Sequence, residues 1–411
     1  DDSTLGLGMD RGQRTASLFL VIAVLFSCAG PTVPPPERAS EVVDSGIFAE
    51  KEKDRKPPQS LPVNPPVQVS FEADPVLYAA LSGDGNTLAY VLEKQGRSSL
   101  WLRPRDPAPR DPEIAALPQK RLEGVGRITA PALSREGGKV TFVATDYDAK
   151  GDIYVLPADM AELSPQRLTG RDTADGAPTF SPDGNRIYFH RLSRGEVLPR
   201  LAHIDLNAGA KEPETLREGA FPSVSPDGES LAFVSFEKDS GGDIYVLNLK
   251  TGKTTPITTG SAQDLYPTWS ANGKWIYFSR FNVDTNGDGV ITPGDNAVIS
   301  RVALEDADLW VHPLTSGTFS AYQPMATSSE VLFLSNRNGA GNLWALPLGG
   351  QIPAKEDAQA QMELARILAS RLPQQDALAV LAYHKVLENF RQDTIYGGKA
   401  AYEMGTLYQR M

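Results

Sequence analysis

The sequence predicts an all-β, six-bladed β-propeller with four-stranded blades, followed by a small C-terminal α-helical segment. Three observations carry this. One short phrase recurs six times along 411 residues, at intervals between 44 and 57 positions. Each copy runs into a turn and then an apolar or aromatic strand. A strand-like segment ahead of the first copy supplies the piece that the last copy lacks.

Composition narrows the classes. With 41% hydrophobic and 22% charged residues the chain can bury one large core or two modest ones. A net charge of -11 argues against nucleic acid as a partner, because neutralising phosphates requires a basic face. One cysteine and four histidines leave no material for a disulfide framework or a thiolate zinc site. Gly 36 and Pro 32 suit many tight turns between short strands.

From the N-terminus, Met9, Arg11 and Arg14 precede a run over residues 16–26 that is apolar except at Ser17. Residues 1–8 lie ahead of the plausible start at Met9. As a helix the run rises about 16 Å, half a hydrocarbon core, so it reads as the centre of a signal peptide rather than a span. Cys28, after Leu25-Phe-Ser27 and before Ala29, resembles the lipobox of bacterial lipoproteins. That resemblance implies a signal peptide over residues 1–28 and a diacylated Cys28 as membrane anchor. It also implies an outer-membrane lipoprotein facing the periplasm of a Gram-negative bacterium. Residues 29–66 hold nine prolines among mixed charges and almost no large apolar side chains. They read as an extended tether.

The recurring phrase is Ala79-Ala-Leu-Ser82, Pro131-Ala-Leu-Ser134, Pro178-Thr-Phe-Ser181, Pro222-Ser-Val-Ser225, Pro267-Thr-Trp-Ser270 and Pro324-Met-Ala-Thr327. Asp84-Gly85, Gly137-Gly138, Asp183-Gly184, Asp227-Gly228 and Asn272-Gly273 follow as turns. Asp152-Ile-Tyr-Val-Leu156, Asp243-Ile-Tyr-Val-Leu247 and Asn342-Leu-Trp-Ala-Leu346 read as third strands. Fourth strands end near Leu168, Ile257 and Leu314, each 13 positions before the next marker hydroxyl. Val69 stands at the same distance before Ser82, so an N-terminal strand is expected to close the sixth blade. The propeller then spans residues 67–349.

The phrase Ser-Pro-Asp-Gly-x-x-Ile-Tyr-Phe followed by Asp-Ile-Tyr-Val-Leu resembles the TolB-like family of WD40-like periplasmic propellers. The resemblance implies a non-catalytic scaffold for protein–protein contacts, with envelope proteins, Tol-Pal-type components among them, as partners. Such propellers also serve enzymes, so a binding sensor or enzyme for a small ligand, glycan or peptide, is the alternative. No Gly-x-Ser-x-Gly motif occurs in the chain.

The last marker interval exceeds its neighbour by twelve positions and contains Asp284-Thr-Asn286-Gly-Asp288-Gly289-Val290-Ile-Thr292-Pro-Gly-Asp295. This matches a twelve-residue EF-hand calcium loop. Oxygens of Asp284, Asn286, Asp288, the Val290 carbonyl, Thr292 and Asp295 are the expected ligands of one calcium ion. Aspartate replaces the usual glutamate at position twelve, and strands flank the loop, which predicts a static site pinning a long hairpin. The loop is expected on the face where propellers bind. Asp172, Asp175, Asp264 and Tyr266 are expected in the connections entering first strands, on that same face, as receivers of a basic partner segment. His190 and His203 are expected on neighbouring strands of blade three.

After Gly350 helix formers dominate. Amphipathic stretches over 359–372 and 377–390, then Tyr396 and Ala400-Ala-Tyr-Glu-Met-Gly405-Thr-Leu-Tyr408, resemble tetratricopeptide repeats of outer-membrane lipoproteins. Residues 355–411 are therefore expected to form a tetratricopeptide-like segment, with Ala401 and Gly405 allowing close helix packing.

Overall fold

The computed structural model describes residues 66–70, 74–105, 119–145, 150–158, 164–170, 173–207, 212–236, 241–337, 339, 341–348, 376–389 and 394–410, with isolated positions from 362 to 369. The signal peptide, Cys28, most of the tether and Asp172 lie outside these residues.

Among the described residues, twenty-four strands form six four-stranded antiparallel sheets. Blade one is β2 (Val76–Leu81), β3 (Thr87–Lys94), β4 (Arg97–Pro104) and β5 (Gln119–Glu123). Blade two is β6 (Ile128–Leu133), β7 (Lys139–Ala144), β8 (Asp152–Pro157) and β9 (Gln166–Arg167). Blade three is β10 (Ala174–Phe180), β11 (Arg186–Leu192), β12 (Arg200–Asp205) and β13 (Glu214–Glu218). Blade four is β14 (Ala220–Val224), β15 (Ser230–Ser235), β16 (Asp243–Asn248) and β17 (Thr254–Pro256). Blade five is β18 (Gln263–Trp269), β19 (Trp275–Phe281), β20 (Val298–Ala303) and β21 (Val311–Pro313). Blade six takes β22 (Ala321–Ala326), β23 (Glu330–Ser335) and β24 (Asn342–Pro347) from its own repeat, and its fourth strand is β1 (Val67–Gln68). The expected circular closure is therefore present.

The marker residues earn their recurrence by hydrogen bonding. In blades one, three, four and five the marker hydroxyl donates to the side chain two positions on (Asp84, Asp183, Asp227, Asn272). The same hydroxyl accepts the N–H five positions on. One serine thus satisfies both ends of a tight hairpin. Hydrogen bonds from Ser181 and Ser225 hold the Asp183 and Asp227 carboxyls below the usual range.

A second hydroxyl caps the third strands. Thr169, Thr258 and Thr315 accept the N–H of Ile153, Ile244 and Ile299. At the seam Ser70 accepts the Leu343 N–H at 2.8 Å and donates to Asn342 at 3.0 Å. Neighbouring blades are also joined by one backbone hydrogen bond each at five junctions: Asp175 to Gly151, Gly219 to Pro199, Asp264 to Gly242, Ala321 to Ala297, and Val76 to Gly341 across the seam. Buried second strands such as Phe142, Phe189, Phe233, Phe278 and Phe333 fill the space between sheets.

The C-terminal segment contains α1 (Asp376–Asn389) and α2 (Thr394–Arg410), packed on each other, with α1 against β24 and β1. Tyr383, Val386, Ala400 and Leu407 form their apolar contact with Met362 and Ala365. Ala401 and Gly405, expected at a helix contact, are instead exposed, because the packed face of α2 runs through Tyr396, Ala400, Met404 and Leu407. Among the described residues, no helix is long and apolar enough to cross a membrane.

Candidate functional site

The six first strands surround a central cavity of about 390 Å³. Its wall is built from one structural irregularity repeated around the ring. In blades two to six the residue four positions before the marker has a left-handed backbone: Ala130 (φ 45°), Ala177 (46°), Phe221 (50°), Tyr266 (56°) and Gln323 (53°). Each immediately precedes the marker proline, and each lies where the pairing of first and second strands shifts by one residue. Such β-bulges bend the inner strand, and they place bulky residues in a conformation costing about 1–3 kcal/mol each. Blade one lacks the proline and has its shift at Leu77, leaving Tyr78 at the equivalent position.

Tyr78, Ala130, Ala177, Phe221, Tyr266 and Gln323 all line the cavity. The ring is asymmetric. Blades four, five and one contribute Phe221, Tyr266 and Tyr78, whereas blades two and three contribute two alanines. Phe221 and Tyr266 pack at a tilt of 57° with centroids 4.6 Å apart, and His190 meets Phe221 edge-on at 5.4 Å. The Phe221 N–H donates to His190 Nδ1 at 3.3 Å. Gly176, paired across the hairpin with His190, leaves the space the imidazole fills: a Cβ there would lie 2.3 Å from Nε2. Burial raises the Tyr266 phenol far above its ordinary pKa, so it stays a neutral hydroxyl.

The left-handed positions yield a prediction of unusual sign. Ala177→Gly removes the Cβ clash of a left-handed residue, about 1–2 kcal/mol, against the 0.5–1 kcal/mol that glycine ordinarily costs in a strand. The variant is expected to unfold at slightly higher denaturant than the parent. A loss of about 1 kcal/mol in a urea titration would show an ordinary strand position instead.

The acidic candidates occupy different surroundings from those expected. Asp175, Asp264 and Tyr266 lie within β10 and β18 rather than in the connections leading to them. Both carboxylates are fully buried and already engaged. Arg191 grips Asp175 through two hydrogen bonds of 2.7 and 2.8 Å, and Arg280 grips Asp264 through two of 2.8 Å. The guanidinium of Arg191 stands 5.4 Å from the Phe189 ring centre, and that of Arg280 stands 5.7 Å from Phe278. Each pair ties the first strand of its own blade to the second, and these buried carboxylates are not an acidic rim open to a partner. His190 and His203 are separated by two register steps: His203 pairs with Tyr188 at 5.5 Å and faces Glu214 at 3.5 Å. Burial depresses the His203 pKa.

The loop over residues 284–295 joins β19 to β20. Its oxygens organise its own backbone: Asp284 accepts the N–H groups of Gly287 and Gly289, Asn286 that of Asp288, and Asp288 that of Val290. Asp295, buried with Thr292, accepts from Thr285 and Asn286 on one oxygen and from Thr292 on the other. Gln263 at the start of β18 donates to the Ile291 carbonyl at 2.7 Å, and Ile291 packs on the main core. Among the described residues no three His, Cys, Asp or Glu side chains converge as a metal-binding group. The donor set is all oxygen, the chemistry suited to a hard cation; the Oδ1 of Asp295 already accepts three hydrogen bonds, from the Thr285 N–H and hydroxyl and the Asn286 N–H.

The loop does not line the cavity. The cavity wall includes Ser82, Gly83, Arg135, Pro182, Pro226 and Ala271 from the turns between first and second strands, and none of residues 284–295. Lys150, from the connection between β7 and β8, and Asp175 and His190 line it at the other end of the strands, so the cavity reaches toward both faces of the ring.

No protein-family profile matches the chain. It is 24% identical over 141 residues to an uncharacterised protein of Agrobacterium fabrum, covering 32% of this chain and 47% of the relative. It is 28% identical over 137 residues to dipeptidyl-peptidase 5 of Porphyromonas gingivalis, covering 31% of this chain and 19% of the enzyme. The chain therefore matches less than half the length of either curated relative. Among solved structures it is similar to TolB from Acinetobacter baumannii, at 19% identity and TM-score 0.46, covering 66% of this chain and 65% of that one.

Proposed function

We propose that the chain is a non-catalytic, TolB-like interaction propeller of the Gram-negative envelope, held at the outer membrane through Cys28 and facing the periplasm. Its site is the central cavity. The supporting observation is the wall: an aromatic crescent of Phe221, Tyr266 and Tyr78 opposite small residues, with its acid, Asp175, neutralised by Arg191. Such a surface stacks on and buries a chain segment, and it offers hydroxyl and amide groups to peptide carbonyls. Envelope proteins, Tol-Pal-type components included, are the proposed partners. In-cell crosslinking of the lipidated protein followed by mass spectrometry tests this. Envelope proteins recovered with the parent and lost with Phe221→Ala support it, and recovery of the bait alone overturns it.

Asp284, Asn286, Asp288, the Val290 carbonyl, Thr292 and Asp295 would hold one calcium ion, which supplies charge neutralisation and pins the blade-five hairpin. Calcium at a hundred times its dissociation constant adds about 2.7 kcal/mol to stability. Thermal unfolding is expected to shift upward with calcium and back with a chelator. In the Asp284→Ala/Asp288→Ala variant the shift should vanish. A parent indifferent to calcium would make the loop a self-braced hairpin without a metal.

A further inference from the structure

In blades three, five and six an arginine lies over the buried phenylalanine of the second strand. Arg191 over Phe189 and Arg280 over Phe278 are each neutralised by the aspartate paired with them on the first strand, Asp175 and Asp264. Blade six departs from this. In its register the place of the aspartate is taken by Ala321 and that of the arginine by Ser335. The cation comes instead from Arg337, two positions on, whose guanidinium stands 5.8 Å from the centre of Phe333, the counterpart of Phe278. The repeat supplies this cation without its acid.

Two more rings surround it, Trp344 at 4.8 Å and Phe319 at 5.8 Å. The Arg337 Nε–H donates to Ser335 Oγ at 3.3 Å. Among the described residues its two terminal nitrogens have no partner, and neither is sealed from solvent. Burial lowers its pKa, with no carboxylate acting against that shift. A half-buried guanidinium of this kind has lost part of its hydration and gained no anion in return.

The surroundings are preformed. Phe319, 41% exposed, precedes β22, and Arg337 follows β23, so the pairing of Ala321 with Ser335 brings both to one end of the blade. Asn336 accepts the Ser320 N–H at 3.0 Å, and Asn296, just beyond the 284–295 loop, donates to the Gly317 carbonyl at 3.2 Å. The segment that carries Phe319 is thus held from both sides. None of Phe319, Arg337 and Trp344 lines the central cavity.

We propose that Arg337, Phe319 and Trp344 form a second binding site, at the end of blade six that carries the connection from second to third strand, for one aspartate or glutamate side chain of a partner polypeptide. An arginine fork takes a carboxylate through two parallel hydrogen bonds, the arrangement that Asp175 and Asp264 already make with their arginines in this chain. The exposed Phe319 ring covers an apolar residue beside that acid, and arginine with tryptophan is a common centre of protein interfaces. A net charge of -11 repels polyanions, so a single acid within a peptide fits better than a phosphate polymer or an anionic lipid surface.

The test pans a displayed library of random twelve-residue peptides on the purified full-length protein and measures the affinity of recovered peptides, made with both ends capped. The expected binders include a class sharing an aspartate or glutamate beside an apolar residue. For these, exchanging the acid for its amide and Arg337→Gln in the protein should each weaken binding at least tenfold, and the two together should weaken it little further. Arg337→Lys, which keeps the charge without the fork, should fall between parent and Arg337→Gln, and all variants should keep the parent's unfolding midpoint. Phe221→Ala, in the cavity wall, should leave this class unaffected, so failure of this site and failure of the cavity reading are distinguishable. Binders that lack an acid, binders that all survive Arg337→Gln, or a library that yields no binder would overturn the proposal.

Discussion

Replacing Asp264 with alanine is expected to lower the free energy of unfolding by about 3–5 kcal/mol, the effect of stranding a buried charge. Arg280, only 19% exposed, would lose the two hydrogen bonds it makes with this carboxylate. The same position in other blades shows how the cost can be avoided. Blade one carries Val76 opposite Leu92, and blade two carries Ile128 opposite Ala144. Both are buried apolar pairs in the register that Asp264 and Arg280 occupy in blade five. Asp264→Val/Arg280→Leu should therefore recover most of the loss, since removing both charges removes the desolvation penalty along with the attraction. Chemical denaturation of parent, single and double variants measures this. A single variant within about 0.5 kcal/mol of the parent would mean that Arg280 is solvated, contrary to its position.

The repeat architecture was legible because its markers do local work. A serine followed two positions on by aspartate or asparagine, then glycine, specifies a hairpin from its own hydrogen bonds, and the spacing of such hairpins counts the blades. Closure was legible for the same reason: Val69 and Ser70 occupy the positions of Ile257 and Thr258, and they are buried and bonded alike. The cavity wall was not. The left-handed residues are Ala, Ala, Phe, Tyr and Gln, with nothing in common but the proline after them, and a residue before proline ordinarily prefers an extended backbone. Only the curvature of a closed ring imposes the bulge. The ion pairs were missed because each arginine stands sixteen positions from its aspartate, on the next strand. The acids were visible as charges while their partners were visible only through the register.

Removing the closing strand, in a chain that starts at Phe71, should have the second large effect. Val69 is 7% exposed within the main core cluster, and leaving its place empty costs about 1.5–3 kcal/mol. The buried Leu343 N–H would lose the Ser70 hydroxyl, a further 1–3 kcal/mol. With the backbone hydrogen bond from Val69 to Leu343 also gone, the expected total is about 4–6 kcal/mol. The single variant Ser70→Ala should cost only the amide's share, and it should match Thr258→Ala, its counterpart in blade four. Loss of β1 also uncovers β24 as a free edge with unpaired backbone groups, the usual template for pairing between chains. The truncated protein is therefore expected to show both a lower unfolding midpoint and, by light scattering, a concentration-dependent dimer. The seam's other bonds remain in it: Val76 still donates to the Gly341 carbonyl at 2.9 Å, so the ring should stay closed on its inner side while its outer edge associates. A truncated chain that stays monomeric with an unchanged midpoint would mean that blade six is complete with three strands.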